Sequence, residues 1–312
     1  MRIFRSWKDL GAAARGASVA MGNFDGVHLG HQAVIALARA EGARLGCPLG
    51  IVTFEPHPRQ HFAPDAAPFR LMNAETRAHR LDKIGVEVLY ELPFGADLTA
   101  MTPEEFARDV LSDGLGIAHV VVGSDFRFGK ARAGGVDDLR RFGEAMGFGV
   151  TVAELVTEEG AEVSSTAIRQ ALSEGRPRDA ARMLGHWHRI DGAVRSGDKR
   201  GRELGYPTAN MSIAGLHPPR FGIYAVKADV LTGPHRGSYL GAASVGVRPM
   251  FNGEVPNLET FLFDFSGDLY DAHLSVALIE YLRPEARFDS IAALVAQMDA
   301  DCARARQILA ET

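Results

Sequence analysis

The chain has 312 residues, 46% hydrophobic and 23% charged, which is enough material for two domains that each bury a core. A net charge of −5 at pH 7 speaks against general nucleic-acid binding, and no segment approaches the ~18 uninterrupted apolar residues of a membrane span or the apolar run of a secretory leader. The two cysteines, Cys47 and Cys302, stand far apart with no partner at metal-ligand spacing, as expected of free thiols in a reducing, cytoplasmic setting.

Up to residue 184 the chain alternates strand-like and helix-like blocks. Residues 18–22 form a short apolar strand and 31–45 an amphipathic helix rich in Ala and Leu. There follow a strand at 49–54, a helix at 74–84, a strand at 86–92 and a helix at 103–111. Thr102, a proline and two glutamates mark the start of that helix. A strand at 119–123, a helix at 135–146 and a strand at 150–155 complete the series, which predicts a parallel sheet covered on both faces. Ligands of such sheets bind beyond the carboxyl ends of the strands. After a helical pair at 164–174 and 177–184 the rhythm changes. Runs at 190–194, 223–230, 238–247, 258–265 and 274–282 are short, β-branched or aromatic, and broken by Gly, Pro and Asp, the pattern of an antiparallel barrel or sandwich. The tail, 290–310, has helical spacing at Ile291, Leu294, Val295, Met298 and Cys302. A boundary near 183–188 divides the chain into 1–184 and 185–312.

The first strand leads directly into MGNFDGVHLGH. His28 and His31, with His57 and His61 of TFEPHPRQH, make two closely spaced imidazole pairs, so a zinc site is one reading. It lacks the cysteines of structural zinc and the i, i+4 histidines with glutamate of a catalytic HExxH site. Polar residues at a tight corner are another. A nucleotide site is the third: Gly26 and Gly30 permit close backbone approach, and a helix starting near His28 offers its positive end to an anion. Two histidines one turn apart share a face. There they can donate hydrogen bonds to phosphate oxygens whose charge grows as pyrophosphate leaves.

Ser164, Ser165 and Thr166 put three hydroxyls at a helix start, with Arg169 a turn later. One hydroxyl would be a plain N-cap, but three with a trailing arginine suit a phosphate clamp. The stretch GSDFRFGK (123–130) superficially resembles a Walker loop but fails its spacing, and Phe126 or Phe128 could equally be core.

The second half opens with four glycines and four basic residues in positions 192–210, either an exposed hairpin or a cationic loop. Its end, PTAN, points the oxygens of Thr208 and Asn210 to one side of an extended segment, a donor set suited to magnesium beside a nucleotide phosphate. Glu259, in NLETFLFDF, is acidic within an apolar strand. It either faces solvent or serves as a general base.

GNFDGVHLGH, TFEPHPR, VGSDFRFG and SSTAIR, in this order and spacing, resemble the adenylyltransferase module of bacterial bifunctional riboflavin kinase/FAD synthetases. GAVRSG, GRELGYPTAN, ASVGVRP, the Leu-Glu strand and LRPEARF resemble the kinase module of the same family. The resemblance runs from about residue 15 to about 306. It implies a Rossmann-like α/β nucleotidyltransferase domain of the HxGH kind, followed by an antiparallel β-barrel riboflavin kinase domain with a C-terminal helix. It implies that the kinase forms FMN from riboflavin and ATP, and that the adenylyltransferase then joins FMN and ATP into FAD and pyrophosphate. His28 and His31 would contact ATP phosphates as catalytic residues, with Gly22, Phe24, Gly30, Ser164, Ser165, Thr166 and Arg169 also binding ATP. Gly197 and Gly201 would do so in the kinase. Asp125, Phe62 and Phe128 would lie towards the flavin, Thr208 and Asn210 would hold Mg2+, and Glu259 would be the base. The partners implied are small molecules, with no nucleic acid and no membrane, and the oligomeric state is left open. Two positions depart from the family pattern. Met250 stands in RPMF where a threonine is usual, and Asp271 replaces the glycine of LYG at a turn that favours glycine.

Overall fold

The structure, a computed structural model, describes residues 1–154, 157–158, 161–195, 204–250 and 253–312, with backbone only at 157–158, 161–162, 248–250 and 253–255. The chain divides into two compact units, Met1–Ala67 with Arg77–Val163, and Pro68–Thr76 with Ser164–Thr312.

The first unit is built on a six-stranded, all-parallel sheet. Its strands are β1 (Arg2–Phe4), β2 (Ser18–Met21), β3 (Leu49–Glu55), β4 (Val88–Pro93), β5 (His119–Gly123) and β6 (Gly149–Ala153), in the order β1-β4-β3-β2-β5-β6. β2 pairs with β3 on one side and β5 on the other, so the loop leaving β2 sits at the topological switch point. Every residue of β2 is buried, as are Leu49 to Phe54 of β3, because helices cover both faces. Val19, Met21, Val52, Tyr90, Val120 and Val122 pack against Phe106, Leu111, Leu139 and Phe142 of those helices. β7 (Thr157–Glu158) and β8 (Ala161–Glu162) form a short antiparallel ladder.

The segment expected as a helix at 103–111 starts as the sequence indicates. Thr102 Oγ1 accepts from the Glu105 amide at 3.2 Å, and Glu105 Oε2 accepts from the Thr102 amide at 2.8 Å. Beyond Glu105 it widens into a π-helical stretch, Phe106–Ser112, where the Asp113 amide reaches back five residues to the Arg108 carbonyl at 2.7 Å. The wider turn buries Phe106, Val110, Leu111 and Leu115 together, a spacing of four and five that an ordinary helix would spread around its surface. The strand expected to reach residue 155 ends at Ala153, and Leu155 lies outside the described residues.

The second unit contains an antiparallel six-stranded sheet, β9 (Arg189–Ala193), β10 (Thr208–Ser212), β11 (Gly222–Val230), β12 (Gly237–Met250), β13 (Gly253–Leu262) and β14 (His273–Arg283), in the order β10-β13-β12-β11-β14-β9. The two ends of that order meet where the Arg195 amide donates to the Asn210 carbonyl at 2.8 Å, which nearly closes a barrel. Helix Ile291–Ala310 lays Ala305, Ile308 and Leu309 over Ala225, Phe263 and Ile279 on the outside of the barrel wall. β13 stops at Leu262, short of the expected residue 265, because Asp264 turns into the left-handed region at φ 56°. Helices Ser165–Ser173 and Pro177–Leu184 also belong to this unit, where Ile168, Ala171, Leu172, Ala180 and Leu184 bury one another together with Leu71.

At Asp271 the backbone adopts φ 63°, a left-handed conformation that suits glycine, and its amide donates to the Val194 carbonyl at 3.1 Å. Met250 ends β12 with only its backbone described.

Candidate active sites

In the first unit, the loop leaving β2 holds the backbone in an unusual run. Phe24, Gly26 and Val27 all have positive φ, at 51°, 90° and 45°. For phenylalanine and a β-branched valine this conformation costs about 1–3 kcal/mol each, and such strain concentrates at functional sites. The loop is pinned from below. The Asn23 carbonyl accepts from Thr53 Oγ1 at 3.2 Å and from the Arg77 guanidinium at 3.4 Å, and the Gly22 amide donates to the Val52 carbonyl at 3.1 Å. Arg77, 1% exposed, also donates at 3.0 Å each to Glu55, at the end of β3, and to Glu91, on β4.

This turn delivers His28 as the N-cap of helix Leu29–Leu45, its Nδ1 accepting from the His31 amide at 3.3 Å. Using Nδ1 as acceptor leaves the proton of the neutral ring on Nε2, available as a donor. The two imidazoles stack at 3.7 Å between centroids and 20° between planes, and His31 also meets Phe24 at 5.1 Å. Gly30 makes this stack possible, because a Cβ there would lie 3.1 Å from Cε1 and 3.2 Å from Nδ1 of His28. Burial first, and His28 second, hold His31 well below the usual histidine pKa, so it is neutral at pH 7. Its Nδ1 is buried with no hydrogen-bond partner among the described residues. The assembled group is a stacked imidazole pair, with His31 neutral, at the positive end of a 17-residue helix, an arrangement that favours an anion. Gly22, Phe24, His28, Gly30 and His31 therefore share one turn.

The second histidine pair serves elsewhere. His57 caps the short helix Pro58–Phe62 by accepting from the Arg59 amide at 3.1 Å, and His61 packs against Phe62 and Phe94. Among the described residues, no three His, Cys, Asp or Glu side chains come together as a metal site requires. Asp125 is exposed in the loop after β5, the strand beside β2. Phe62 is 70% exposed, whereas Phe128 is buried in the core, stacked on Phe126 at 5.7 Å and 5.7 Å from Phe106.

In the second unit, Ser164 caps helix Ser165–Ser173, its Oγ accepting from the Ala167 amide at 3.3 Å, with Ser165 and Thr166 in the first turn. Arg169 donates from Nε to the Phe69 carbonyl at 2.5 Å and lies over the Phe69 ring.

The kinase-like residues form a connected row. Asn210 on β10 stands directly opposite Glu259 on β13. Asn210 Nδ2 donates to the Thr208 carbonyl at 3.2 Å and to Thr208 Oγ1 at 3.4 Å. Asn257 Nδ2 donates to Asn210 Oδ1 at 3.1 Å and to Glu259 Oε1 at 3.4 Å. Asn210 is buried and Glu259 half-buried, so the row combines hard neutral oxygens with one carboxylate in partial shelter from water. Beside it, Tyr206 packs edge-on to Phe261, and its hydroxyl donates to Asp299, which pushes its pKa up to about 12. Gly197 and Gly201 lie outside the described residues.

Arg77 and Asn257 were not singled out from the sequence. Asn257 had a signal, since it lies two residues before Glu259 in a strand and so shares its face. Arg77 had none, because its partners come from two distant strand ends.

Known proteins supply the remaining evidence. The FAD synthetase family model matches residues 11–167, and the riboflavin kinase model matches residues 184–309. The bifunctional riboflavin kinase/FMN adenylyltransferase of Pseudomonas fluorescens is 41% identical over 99% of this chain and 98% of its own. Its counterpart in Escherichia coli K12 is 36% identical over 100% and 99%. A crystal structure described as a macrolide-efflux protein from Streptococcus pneumoniae shares the fold, with a TM-score of 0.81 and 31% identity over 96% of both chains. With both domains present in order and relatives matched end to end, the chain belongs to the bifunctional riboflavin kinase/FMN adenylyltransferase family.

Proposed function

We propose that this chain makes FAD from riboflavin in two ATP-dependent steps, with phosphorylation assigned to residues 185–312 and adenylyl transfer to residues 1–184. The functional division at 184/185 differs from the division into compact units, which groups the helices at 164–184 with the barrel.

In the phosphorylation step, Glu259 accepts the proton of the terminal ribityl hydroxyl as that oxygen attacks the γ-phosphorus of ATP, giving FMN and ADP. Thr208 Oγ1 and Asn210 Oδ1, hard neutral oxygens two residues apart on one strand face, fit a magnesium ion by chemistry and would hold it beside the nucleotide. When bound, the ion neutralises charge on the phosphates. Asn210 is held in place for that task by its bonds to Thr208 and Asn257.

In the adenylyl step, a phosphate oxygen of FMN attacks the α-phosphorus of ATP, and the bond to the departing pyrophosphate breaks. His28 and His31 donate hydrogen bonds to the phosphate oxygens that gain charge, and the helix end behind them adds its dipole. Neither histidine forms a covalent bond. Gly22, Phe24 and Gly30 shape the turn, Ser164, Ser165, Thr166 and Arg169 are assigned to ATP binding, and Asp125 and Phe62 face the flavin. Gly197 and Gly201 contribute to nucleotide binding in the kinase. A cytoplasmic location belongs to the same reading, supported by the free thiols Cys47 and Cys302.

The observation that carries the proposal is the stacked His28–His31 pair, with His31 neutral, at the switch point of the parallel sheet. Incubating the purified chain with riboflavin, ATP and magnesium and separating products by chromatography tests it. FMN should appear first and FAD after it. Absence of both products would leave a nucleotide-binding protein without this chemistry.

A further inference from the structure

We propose that Asn257 is a positioning residue of the riboflavin-phosphorylating site, locking the base and a metal-directed amide into one geometry through a single amide group. The inference rests on the assignment of Glu259 as base and of Thr208 and Asn210 as oxygen donors.

Asn257 and Glu259 lie two apart on β13, so their side chains leave the same face. The register places Asn257 opposite Ser212 and Glu259 opposite Asn210 on β10. From there one nitrogen, Asn257 Nδ2, reaches Asn210 Oδ1 at 3.1 Å and Glu259 Oε1 at 3.4 Å. A primary amide has two N–H groups, which matches the two acceptors. Asn210 passes the constraint on, since its own Nδ2 donates to the carbonyl and hydroxyl of Thr208. Donation therefore runs one way along the row, from Asn257 to Asn210 and from Asn210 to Thr208, with Glu259 held at the other side. Each oxygen keeps a lone pair for what it must bind or accept.

Asparagine is a poor strand former, and a strand in this position would favour a β-branched residue. Its presence fits a task that needs two donors on a short, stiff side chain. Aspartate has nearly the same shape but no donor. It would set a second carboxylate against Glu259 and an acceptor against Asn210 Oδ1, and so break both ends of the link. Groups that orient a ligand or base in this way typically contribute ~10–100-fold.

The test compares Asn257→Ala, Asn257→Asp, Asn257→Thr and Glu259→Gln in the full chain, assaying riboflavin phosphorylation against magnesium and riboflavin concentration. Circular dichroism and thermal unfolding of the same preparations report whether the barrel of each variant is folded, and FMN adenylylation serves as the control for the first half. The proposal predicts that Asn257→Ala lowers kcat ~10–100-fold and raises the magnesium concentration needed for half-activation, with KM for riboflavin within about threefold. Asn257→Asp should be at least as impaired. Asn257→Thr, with one hydroxyl donor, should fall between alanine and asparagine, and adenylylation should be unchanged throughout. Asn257→Ala with full kcat and unchanged magnesium dependence, beside an inactive Glu259→Gln, would overturn the positioning role alone. A fully active Glu259→Gln would instead overturn the assignment of the base, and the inference with it.

Discussion

Replacing Gly30 with alanine separates catalysis from stability at one atom. The added Cβ would stand 3.1 Å from Cε1 and 3.2 Å from Nδ1 of His28, against about 3.5–4.0 Å for comfortable contact. The ring must retreat by roughly 0.3–0.5 Å, and its stack on His31 at 3.7 Å and its bond from the His31 amide resist that movement. Alanine favours a helix over glycine by up to ~1 kcal/mol, which offsets the strain, so net stability should stay within about 1 kcal/mol and Tm within about 4 °C. Catalysis should respond differently. If a 1 Å misplacement costs about 100-fold, half of that costs about tenfold, or ~1.4 kcal/mol of barrier. The assay is FAD and pyrophosphate formation from FMN at saturating ATP, with riboflavin phosphorylation measured on the same sample. A variant as stable as the parent, about tenfold slower in adenylylation and unchanged as a kinase, supports the reasoning. Undiminished adenylylation would refute it, because the position of the His28 ring would then be irrelevant to the reaction.

Arg77→Met should cost about 3 kcal/mol in urea denaturation, since it strips a partner from Glu91, which is 5% exposed and among the described residues would keep Arg5 alone, at 3.1 Å. Adenylylation should also fall as the Asn23 carbonyl loses its tie, and a loss under 1 kcal/mol with normal activity would contradict both effects. His188 is fully buried, and burial pulls its pKa down to about 3. Between the unfolded value near 6.5 and 3, only the unfolded chain takes up this proton, so stability falls as pH falls, by ~2 kcal/mol at pH 5. Denaturation curves at pH 7 and pH 5 for the parent and for His188→Gln should show a shallower acid loss in the variant, and equal losses would exclude His188 as a source.

The sequence was most informative where short-range chemistry decides structure. The strand at 119–123 and the helix at 177–184 appear with the same bounds, because a β-branched run and a proline-started amphipathic turn leave few alternatives. HxGH was legible as a loop-to-helix site, and the structure adds why the glycine is there. β1 escaped notice because three residues at a sheet edge carry no period to read. The partition of the compact units was not readable either. Residues 68–76 join the barrel unit through Leu71 and through hydrogen bonds such as that from the His217 amide to the Arg70 carbonyl, which are long-range contacts without local signature. For the same reason the sequence could not tell a stacking phenylalanine from a core one. Phe128 is packed among Phe106 and Phe126, whereas Phe62 lies at the surface, and only burial distinguishes them.

The central claim is that one polypeptide carries two chemically independent phosphate-transfer sites, and a pair of substitutions tests it most directly. Glu259→Gln and His31→Ala, each in the full chain, are supplied with riboflavin, ATP and magnesium, and separately with FMN, ATP and magnesium, with products resolved by chromatography. The account predicts that Glu259→Gln makes no FMN from riboflavin yet converts added FMN to FAD, and that His31→Ala accumulates FMN without FAD. Either variant losing both reactions, or keeping both, would contradict it.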